Sequence, residues 1–177
     1  INCHGPGGLR ELDGVGVPAC LGVSLCSTAM ACTGDLPTAI AVGIARALSG
    51  AGLYCEPYAA DAERGELLLA SSGEGDPAWA RDGTVRLVPN EYYAGREGAG
   101  TAVAFALREG PATMLSLSPA ADGWRLAWIE GEVREHHHPR LTAPNGVFTF
   151  SGRARERISA WIGSGATHHA ALGLGHL

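Results

Sequence analysis

The sequence predicts an α+β protein, in which the tail of an α/β domain precedes a β-rich antiparallel domain (a small barrel or a meander) with flanking helices. One observation is a helical pattern over residues 36–48. The other is a change after Gly52, where short apolar runs alternate with turns rich in Gly, Pro and Asp. We therefore place a boundary near residue 50. It divides the chain into residues 1–51, the tail of a middle α/β domain, and residues 52–177, a C-terminal β-rich domain.

Two helices carry recognisable start and stop signals. The pattern LPTAIAVGIARAL predicts the first over residues 36–48, with Asp35 as its N-cap because the carboxylate can accept hydrogen bonds from first-turn amides. Ser49 and Gly50 end this helix. The pattern RARERISAWI predicts the second helix over residues 153–162, and the glycines that follow end it.

Strands are predicted from apolar runs that lie between turn clusters. Residues 101–107, 112–118 and 124–134 are separated by REGP and PAADG, which indicates antiparallel neighbours rather than βαβ units. Upstream, residues 14–34 hold no charged residue, and we expect a buried loop-and-strand region there. A membrane span would be more apolar and would have basic flanks, so we expect no membrane segment.

Composition limits the classes of function. The 177 residues carry a net charge of −5, and all 13 basic residues are arginine, which excludes lysine-based catalysis. The chain has no basic stripe of the kind that binds nucleic acid. The five cysteines are odd in number and never spaced as C-x-x-C. This pattern favours a reducing, cytoplasmic location and cysteines that are mostly buried.

Two acidic segments are candidate site elements. YCEPYAAD places Glu56 in an apolar strand, where a buried carboxylate needs a cation or a metal as its partner. SSGEGDPAWA places Glu74 and Asp76 in a glycine-rich turn. That turn either binds an anion or a polyol through its backbone amides, or only begins a structural turn at Asp76 and Pro77.

The chain closes on a pair of adjacent histidines. In GATHHA, Thr167 is positioned to cap a helix that begins at His168, and neighbouring side chains of a helix point about 100° apart. Either one of His168 and His169 faces a site, or both belong to a buried helix start. The histidines at 136–138 are interpreted as a solvated loop, because adjacent side chains of an extended segment do not converge on one ion.

Six segments, in their order along the chain, carry a resemblance to a known family. They are NCHGPGGLREL, ACTGDLPTAIAVGIARALSG, LYCEPY, LLLASSGEGDPAWA, GPATMLSLSPAADGWRLAWIEGEV and WIGSGATHHAALGLGH. Together they resemble the C-terminal part of the L-arabinose/L-fucose isomerase superfamily. The closing Gly-x-x-His-His motif is the most specific of the six.

The resemblance implies an aldose–ketose isomerase that acts on a pentose or a 6-deoxyhexose. Enzymes of this kind use a divalent ion, commonly Mn²⁺, to hold two adjacent sugar oxygens, and a carboxylate pair moves a proton through a cis-enediol. Oxygen and imidazole ligands suit such an ion, and carboxylates act as acid and base. The larger family members carry an N-terminal α/β region and complete their sites with neighbouring subunits. A homo-oligomer, or pairing with an N-terminal region, is therefore implied.

Carried over position by position, the resemblance also implies roles for individual residues. Glu56 falls on the second family carboxylate and is expected to be a metal ligand and an acid/base. His169 falls on the C-terminal histidine ligand. Asp35 is a further candidate catalytic residue and metal ligand. The candidate substrate contacts are His168, Asn2 and Glu74.

Two family ligand positions hold hydroxyl residues in this chain. The first family glutamate falls on Thr33, and the histidine after the Leu-rich strand falls on Ser72. Asp35 and Glu74 each lie two residues further on, and residues i and i+2 share a face of an extended chain, so either can substitute geometrically. The hydroxyls motivate a second hypothesis, a catalytically degenerate relative that binds a sugar or polyol or stabilises an active paralogue. A third is a β-rich domain without independent activity.

Overall fold

The computed structural model describes residues 19–72, 75–89, 101–135, 138–150 and 152–177. In chain order its elements are α1 (Ala19–Leu25), a 3-10 turn (Cys32–Gly34), α2 (Leu36–Ser49), β1 (Gly52–Asp61), β2 (Glu66–Ala70), a 3-10 turn (Pro77–Trp79), β3 (Arg86–Pro89), β4 (Thr101–Ala104), β5 (Gly110–Ala120), β6 (Gly123–Arg134), β7 (Asn145–Phe150), α3 (Ala154–Gly163) and β8 (Ala170–Leu174).

A closed barrel forms the body of the protein. Among the described residues, six strands join in the order β1-β2-β7-β6-β5-β8, and every neighbouring pair is antiparallel. Strand β8 pairs with β1 on one side and with β5 on the other, which closes the barrel. The predicted α+β class with a β-rich antiparallel domain is confirmed, and the barrel is the form that the domain takes.

Residues 101–107 lie outside this barrel, so the meander prediction is wrong at this point. Strand β4 pairs with β3 in a separate two-stranded sheet. Beyond it, Ala106 bridges to Asn145 and Leu107 bridges to Ala80. In a meander, β4 would pair with the edge of β5. That edge of β5 pairs with β8 instead.

The barrel interior is built from alternate side chains of all its strands. The inward-facing residues form one apolar cluster: Leu53, Cys55, Leu67, Leu69, Ala112, Met114, Ile129, Val133, Phe148, Phe150, Ala170 and Leu172. Trp79 joins this cluster fully buried, and its indole Nε1 donates to the backbone oxygen of Leu172 at 3.1 Å. Because strand side chains alternate between two faces, the residues between these members point outward.

The described cysteines fit this division between inside and outside. Cys32 and Cys55 are buried, Cys26 is exposed, and none of these three forms a disulfide. Burial, and then the charge of the neighbouring Glu56, raise the pKa of the Cys55 thiol. The thiol therefore stays protonated and serves as a small core side chain.

Helix α2 lies on the outer face of the barrel, over β1, β8 and β5. Its buried residues Ala41, Val42 and Ala45 share a cluster with outward-facing strand residues, which are Tyr54, Leu115, Leu117 and Ala171. A Cβ at Gly52 would lie only 2.4 Å from the backbone oxygen of Val42, so glycine is needed where the helix crosses the start of β1. Small side chains at this contact let the helix approach the barrel closely.

The caps of α2 agree with the sequence prediction. A side-chain oxygen of Asp35 accepts from Thr38 N at 3.0 Å. At the other end Gly50 has a φ of 80°, and its N–H donates to the backbone oxygen of Arg46. Helix α3, at Ala154–Gly163, also confirms its prediction.

Two further local predictions are wrong. The region expected as loop and strand contains helix α1 over Ala19–Leu25. The helix expected to begin at His168 is strand β8, Ala170–Leu174, because this segment finds hydrogen-bond partners on both sides in the open gap between β1 and β5. Within the described part of the chain, no helix has the length and apolar character needed to span a membrane. The boundary near residue 50 stays a prediction.

A buried carboxylate joins the end of α2 to the start of β1. Asp76 is 4% exposed and forms an ion pair with Arg46 of α2. It also accepts from Gly52 N at 3.2 Å and from Ala78 N at 3.0 Å. One side chain therefore satisfies donors from three separate segments, which gives Asp76 a structural role.

We expect Asp76→Ala to lower the free energy of unfolding by about 3 kcal/mol, because it leaves a partly buried guanidinium and buried amides without their acceptor. The matched control is Glu156→Ala, which removes an exposed ion pair with Arg153 and should cost less than about 1 kcal/mol. Urea unfolding of both variants measures the contrast. Equal effects would show that Asp76 is not the tie between these segments.

Candidate functional site

Three polar side chains from distant parts of the sequence meet on the outside of the barrel. His169 Nδ1 lies 2.7 Å from Asp35 Oδ2, and His169 Nε2 lies 3.9 Å from Glu56 Oε1. We refer to Asp35, Glu56 and His169 as the His169 cluster. It contains three residues that the sequence predicted as catalytic or metal-binding.

Strand pairing explains why Glu56 and His169 meet. The β1–β8 ladder ends at the pair Cys55 and Ala170, so Glu56 and His169 are the next residues outward on the two strands. Cys55 points into the barrel, and alternation therefore turns Glu56 to the outer face. Helix α2 lies over these strands, and its first turn brings Asp35 to the same place.

Both carboxylate oxygens of Asp35 accept hydrogen bonds. Its Oδ1 accepts from Thr38 N at 3.0 Å, and its Oδ2 accepts from Thr38 Oγ1 at 2.9 Å and contacts His169 Nδ1. Burial acts to raise the pKa of this carboxyl, but the hydrogen bonds from Thr38 and His169 outweigh it, so the pKa lies below its ordinary value. Asp35 is therefore an ionised acceptor and a weak base.

The ionised state of Asp35 fixes the proton on the histidine ring. A carboxylate can only accept, so His169 Nδ1 carries the hydrogen of their 2.7 Å contact. In the neutral ring, Nε2 then holds a lone pair, and this nitrogen is the one that faces Glu56. The same arrangement, with a carboxylate behind the ring, orients histidines that bind metal ions through their other nitrogen.

Glu56 is held by a neighbour on its own strand. Its Oε1 accepts from the Tyr54 hydroxyl at 2.5 Å. Its side chain is 21% exposed, and that of His169 is 13% exposed, so solvent reaches both. Among the described residues, no hydrogen bond to Glu56 Oε2 is found, which leaves this oxygen available to an ion or a substrate.

The segment before β8 is shaped by hydroxyl groups rather than by a helix cap. Thr167 N donates to Ser116 Oγ at 3.0 Å, and Thr167 Oγ1 donates to the backbone oxygen of His169 at 2.7 Å. His168 is exposed, and its ring centroid lies 3.9 Å from that of His169. Both imidazoles of the pair therefore lie at the site, contrary to the expectation that neighbours diverge as in a helix.

The other predicted positions are placed as follows. Asn2 and Glu74 lie outside the described residues. Thr33 is exposed, has a φ of 57°, and donates from its hydroxyl to the backbone oxygen of Cys32. Because residues 32–34 form a 3-10 turn, the extended-chain argument that placed Asp35 on the face of Thr33 is wrong. Asp35 reaches the site as the cap of α2 instead.

Sequence reasoning missed Tyr54 and Ser116. Tyr54 lies two residues before Glu56 in a strand, and this spacing alone indicates a shared face. Ser116 is 51 residues from Thr167, and no short-range pattern connects them.

The donor set fits a divalent ion in part. Glu56 and His169 Nε2 face one another, and carboxylate and imidazole suit Mn²⁺. In the ranges that the structure describes, no group of three or more His, Cys, Asp or Glu residues is placed to hold a metal ion. The cluster therefore offers two ligands and an orienting carboxylate, and an ion bound there would need further ligands from a substrate or water.

Comparison with known proteins gives one family match. Residues 51–176 match the family model of the L-arabinose isomerase C-terminal domain. The matched range contains Glu56, His168 and His169, whereas Asp35 precedes it. No curated protein matches the chain.

The lowered pKa of Asp35 predicts a pH-dependent contribution to stability. Such a carboxyl stabilises the fold while it is ionised, so its contribution is complete above the unfolded value near 3.8 and is lost as the pH falls through the folded value. We expect the unfolding free energy of the wild type to fall relative to that of Asp35→Asn below about pH 4. Urea unfolding from about pH 6 to about pH 3 tests this, and a constant difference would contradict it.

The tautomer of His169 gives a second prediction. In the neutral ring we expect the Nδ1–H form in the wild type and loss of that preference in Asp35→Ala. Long-range ¹H–¹⁵N NMR of the ring measures it. His176 is the internal control, because its Nε2 contacts the backbone oxygen of Gly131 and should keep its hydrogen there in both proteins. An Nε2–H ring at His169 in the wild type would refute the proposed orientation.

Proposed function

Because the chain belongs to the L-arabinose isomerase C-terminal domain family, we propose that it carries part of an active site for aldose–ketose isomerisation of a pentose or a 6-deoxyhexose. The coarser assignment to a sugar-isomerase family rests on the match over residues 51–176. The observation that carries the finer proposal is the 3.9 Å approach of Glu56 to His169 Nε2, with Asp35 at the other ring nitrogen.

Glu56 is the proposed acid/base. In this reaction a base removes the proton from C2 of the aldose to give a cis-enediol and returns it to C1, while the hydroxyl proton passes from O2 to O1. One carboxylate can perform both carbon transfers, because the proton that it takes from C2 is the one that it delivers to C1. Glu56 is suited to this by its partial burial and by an Oε2 without a hydrogen-bond partner among the described residues.

Glu56 and His169 are also the proposed ligands of a divalent ion, for which we propose Mn²⁺. When bound, such an ion supplies positive charge that polarises two adjacent sugar oxygens. His169 would contribute Nε2, the nitrogen left deprotonated by the Nδ1 contact with Asp35. Both side chains are reached by solvent.

Asp35 acts in this proposal on His169 rather than on the sugar. Both of its oxygens are occupied by Thr38 and His169, and its lowered pKa makes it a poor proton acceptor. The contacts of Asp35 therefore favour a role in orienting the imidazole, and its predicted roles as metal ligand and catalytic carboxylate stay predictions from the resemblance.

His168 is the proposed sugar contact, because it is exposed beside His169. Roles for Asn2 and Glu74 in binding the sugar stay predictions from the resemblance. The cytoplasmic location, and assembly as a homo-oligomer or with an N-terminal region, also stay predictions.

A second candidate function is a catalytically degenerate relative that binds a sugar or polyol without isomerising it. The observation that favours it concerns Thr33, which stands at the position of the first family glutamate. Its hydroxyl donates a hydrogen bond to the backbone oxygen of Cys32. Ser72, at the position of a family histidine, is the other departure. The two functions differ in whether sugar binding requires the ion.

Metal binding by the purified protein tests the leading proposal. We expect calorimetry to detect Mn²⁺ binding to the wild type, and Glu56→Gln and His169→Gln each to weaken it by about tenfold or more, because each removes a proposed ligand. His176→Gln is the matched control, since His176 contacts the backbone oxygen of Gly131 rather than Glu56. It should bind Mn²⁺ as the wild type does.

A sugar screen completes the test. Isomerisation of a pentose or a 6-deoxyhexose that depends on Mn²⁺ and is lost in Glu56→Gln is the expected result. Sugar binding that is independent of Mn²⁺, without turnover, would favour the degenerate relative. The absence of both metal binding and turnover would contradict the isomerase proposal.

A further inference from the structure

We propose that Tyr54 is a positioning residue, which holds the Glu56 carboxylate against His169 and directs Oε2 outward. The functional meaning of this inference rests on the proposed isomerase site. Its structural content rests on contacts that do not depend on any ion.

Tyr54 is itself a fixed side chain. It is 3% exposed and belongs to the cluster between α2 and the barrel, so its ring is enclosed by apolar neighbours. Tyr54 and Glu56 are separated by one residue of β1 and lie on the same outer face. A phenol at this spacing reaches along the strand and places its hydroxyl at the carboxylate, which is the contact observed at 2.5 Å.

Tyr54 touches both facing members of the His169 cluster. Its hydroxyl donates to Glu56 Oε1. Its ring centroid lies 5.3 Å from the ring of His169, with the two planes inclined by 58°. A single rigid side chain therefore sets the orientation of the carboxylate and limits the movement of the imidazole.

The hydrogen bond also distinguishes the two oxygens of Glu56. Oε1 is both the acceptor of the Tyr54 hydroxyl and the oxygen nearest to His169 Nε2. Oε2 is left as the oxygen for an ion or for proton transfer. Glu56 has several rotatable bonds and is partly exposed, so without this hydrogen bond the carboxylate would sample positions turned toward solvent.

Tyr54→Phe is the test, because it keeps the buried ring and removes only the hydroxyl. We expect its dissociation constant for Mn²⁺ to rise about tenfold, as is typical when a partner behind a metal ligand is lost. In its crystal structure we expect Glu56 to turn away from His169. The melting temperature should stay close to that of the wild type, because the ring remains buried.

Tyr58→Phe is the matched control. Tyr58 lies on the same strand, and its hydroxyl bonds to the backbone oxygen of Ser71 at 3.4 Å rather than to Glu56. This variant should bind Mn²⁺ as the wild type does. An equal loss of affinity in both variants, accompanied by equal losses of thermal stability, would mean a general structural effect and would overturn the inference.

The outcomes separate this inference from the proposed function. If the wild type shows neither Mn²⁺ binding nor turnover, the isomerase proposal fails, and the position of Glu56 in the Tyr54→Phe crystal structure still decides the role of Tyr54. Tyr54 is not a positioning residue if Glu56 remains beside His169 in that structure and, provided that the wild type binds Mn²⁺, the variant binds it with equal affinity.

Discussion

Closure of the barrel by β8 is the interaction on which the remaining structure depends. This short strand supplies hydrogen-bond partners to β1 and to β5, two strands that would otherwise expose free edges. Its inward residues Ala170 and Leu172 complete the interior, and Ala171 faces α2. The same pairing places His169 beside Glu56. The barrel interior, the packing of α2 and the candidate site therefore all depend on the register of β8 with its neighbouring strands.

That register also decides that the site is outside the barrel. Alternation along β1 sends Leu53 and Cys55 inward, and Tyr54 and Glu56 outward. The interior can therefore be wholly apolar at this end of β1, while the polar groups gather where the first turn of α2 meets the strands. Had the strands slipped by one residue, Glu56 would face the core without a partner, which is strongly unfavourable.

Short-range sequence signals predicted much of the fold and the position of one member of the site, Asp35. The caps and helical spacing identified α2, and with it the position of Asp35, because those interactions lie within a few residues of each other. The segment AALGL was not recognised as a strand, since Ala and Gly have low strand propensity and its partners are remote in sequence. A Cβ at Gly173 would lie 2.8 Å from Leu177 Cδ1 and 3.3 Å from the Cβ of Ala45, so close packing of Leu177 and of α2 explains that glycine, and only the folded structure shows it.

The cluster was predicted in its members but not in its geometry. Resemblance named Glu56 and His169, and Asp35 was added by an argument from extended backbone that the 3-10 turn contradicts. Asp35 nevertheless contacts His169 because the carboxylate that caps α2 also faces the end of β8. The Asp35 carboxylate therefore serves both as the cap of α2 and as the group that orients the His169 ring. A displacement of the first turn of α2 would release His169 Nδ1, so a chemical role for this histidine requires that the helix stay docked on the barrel.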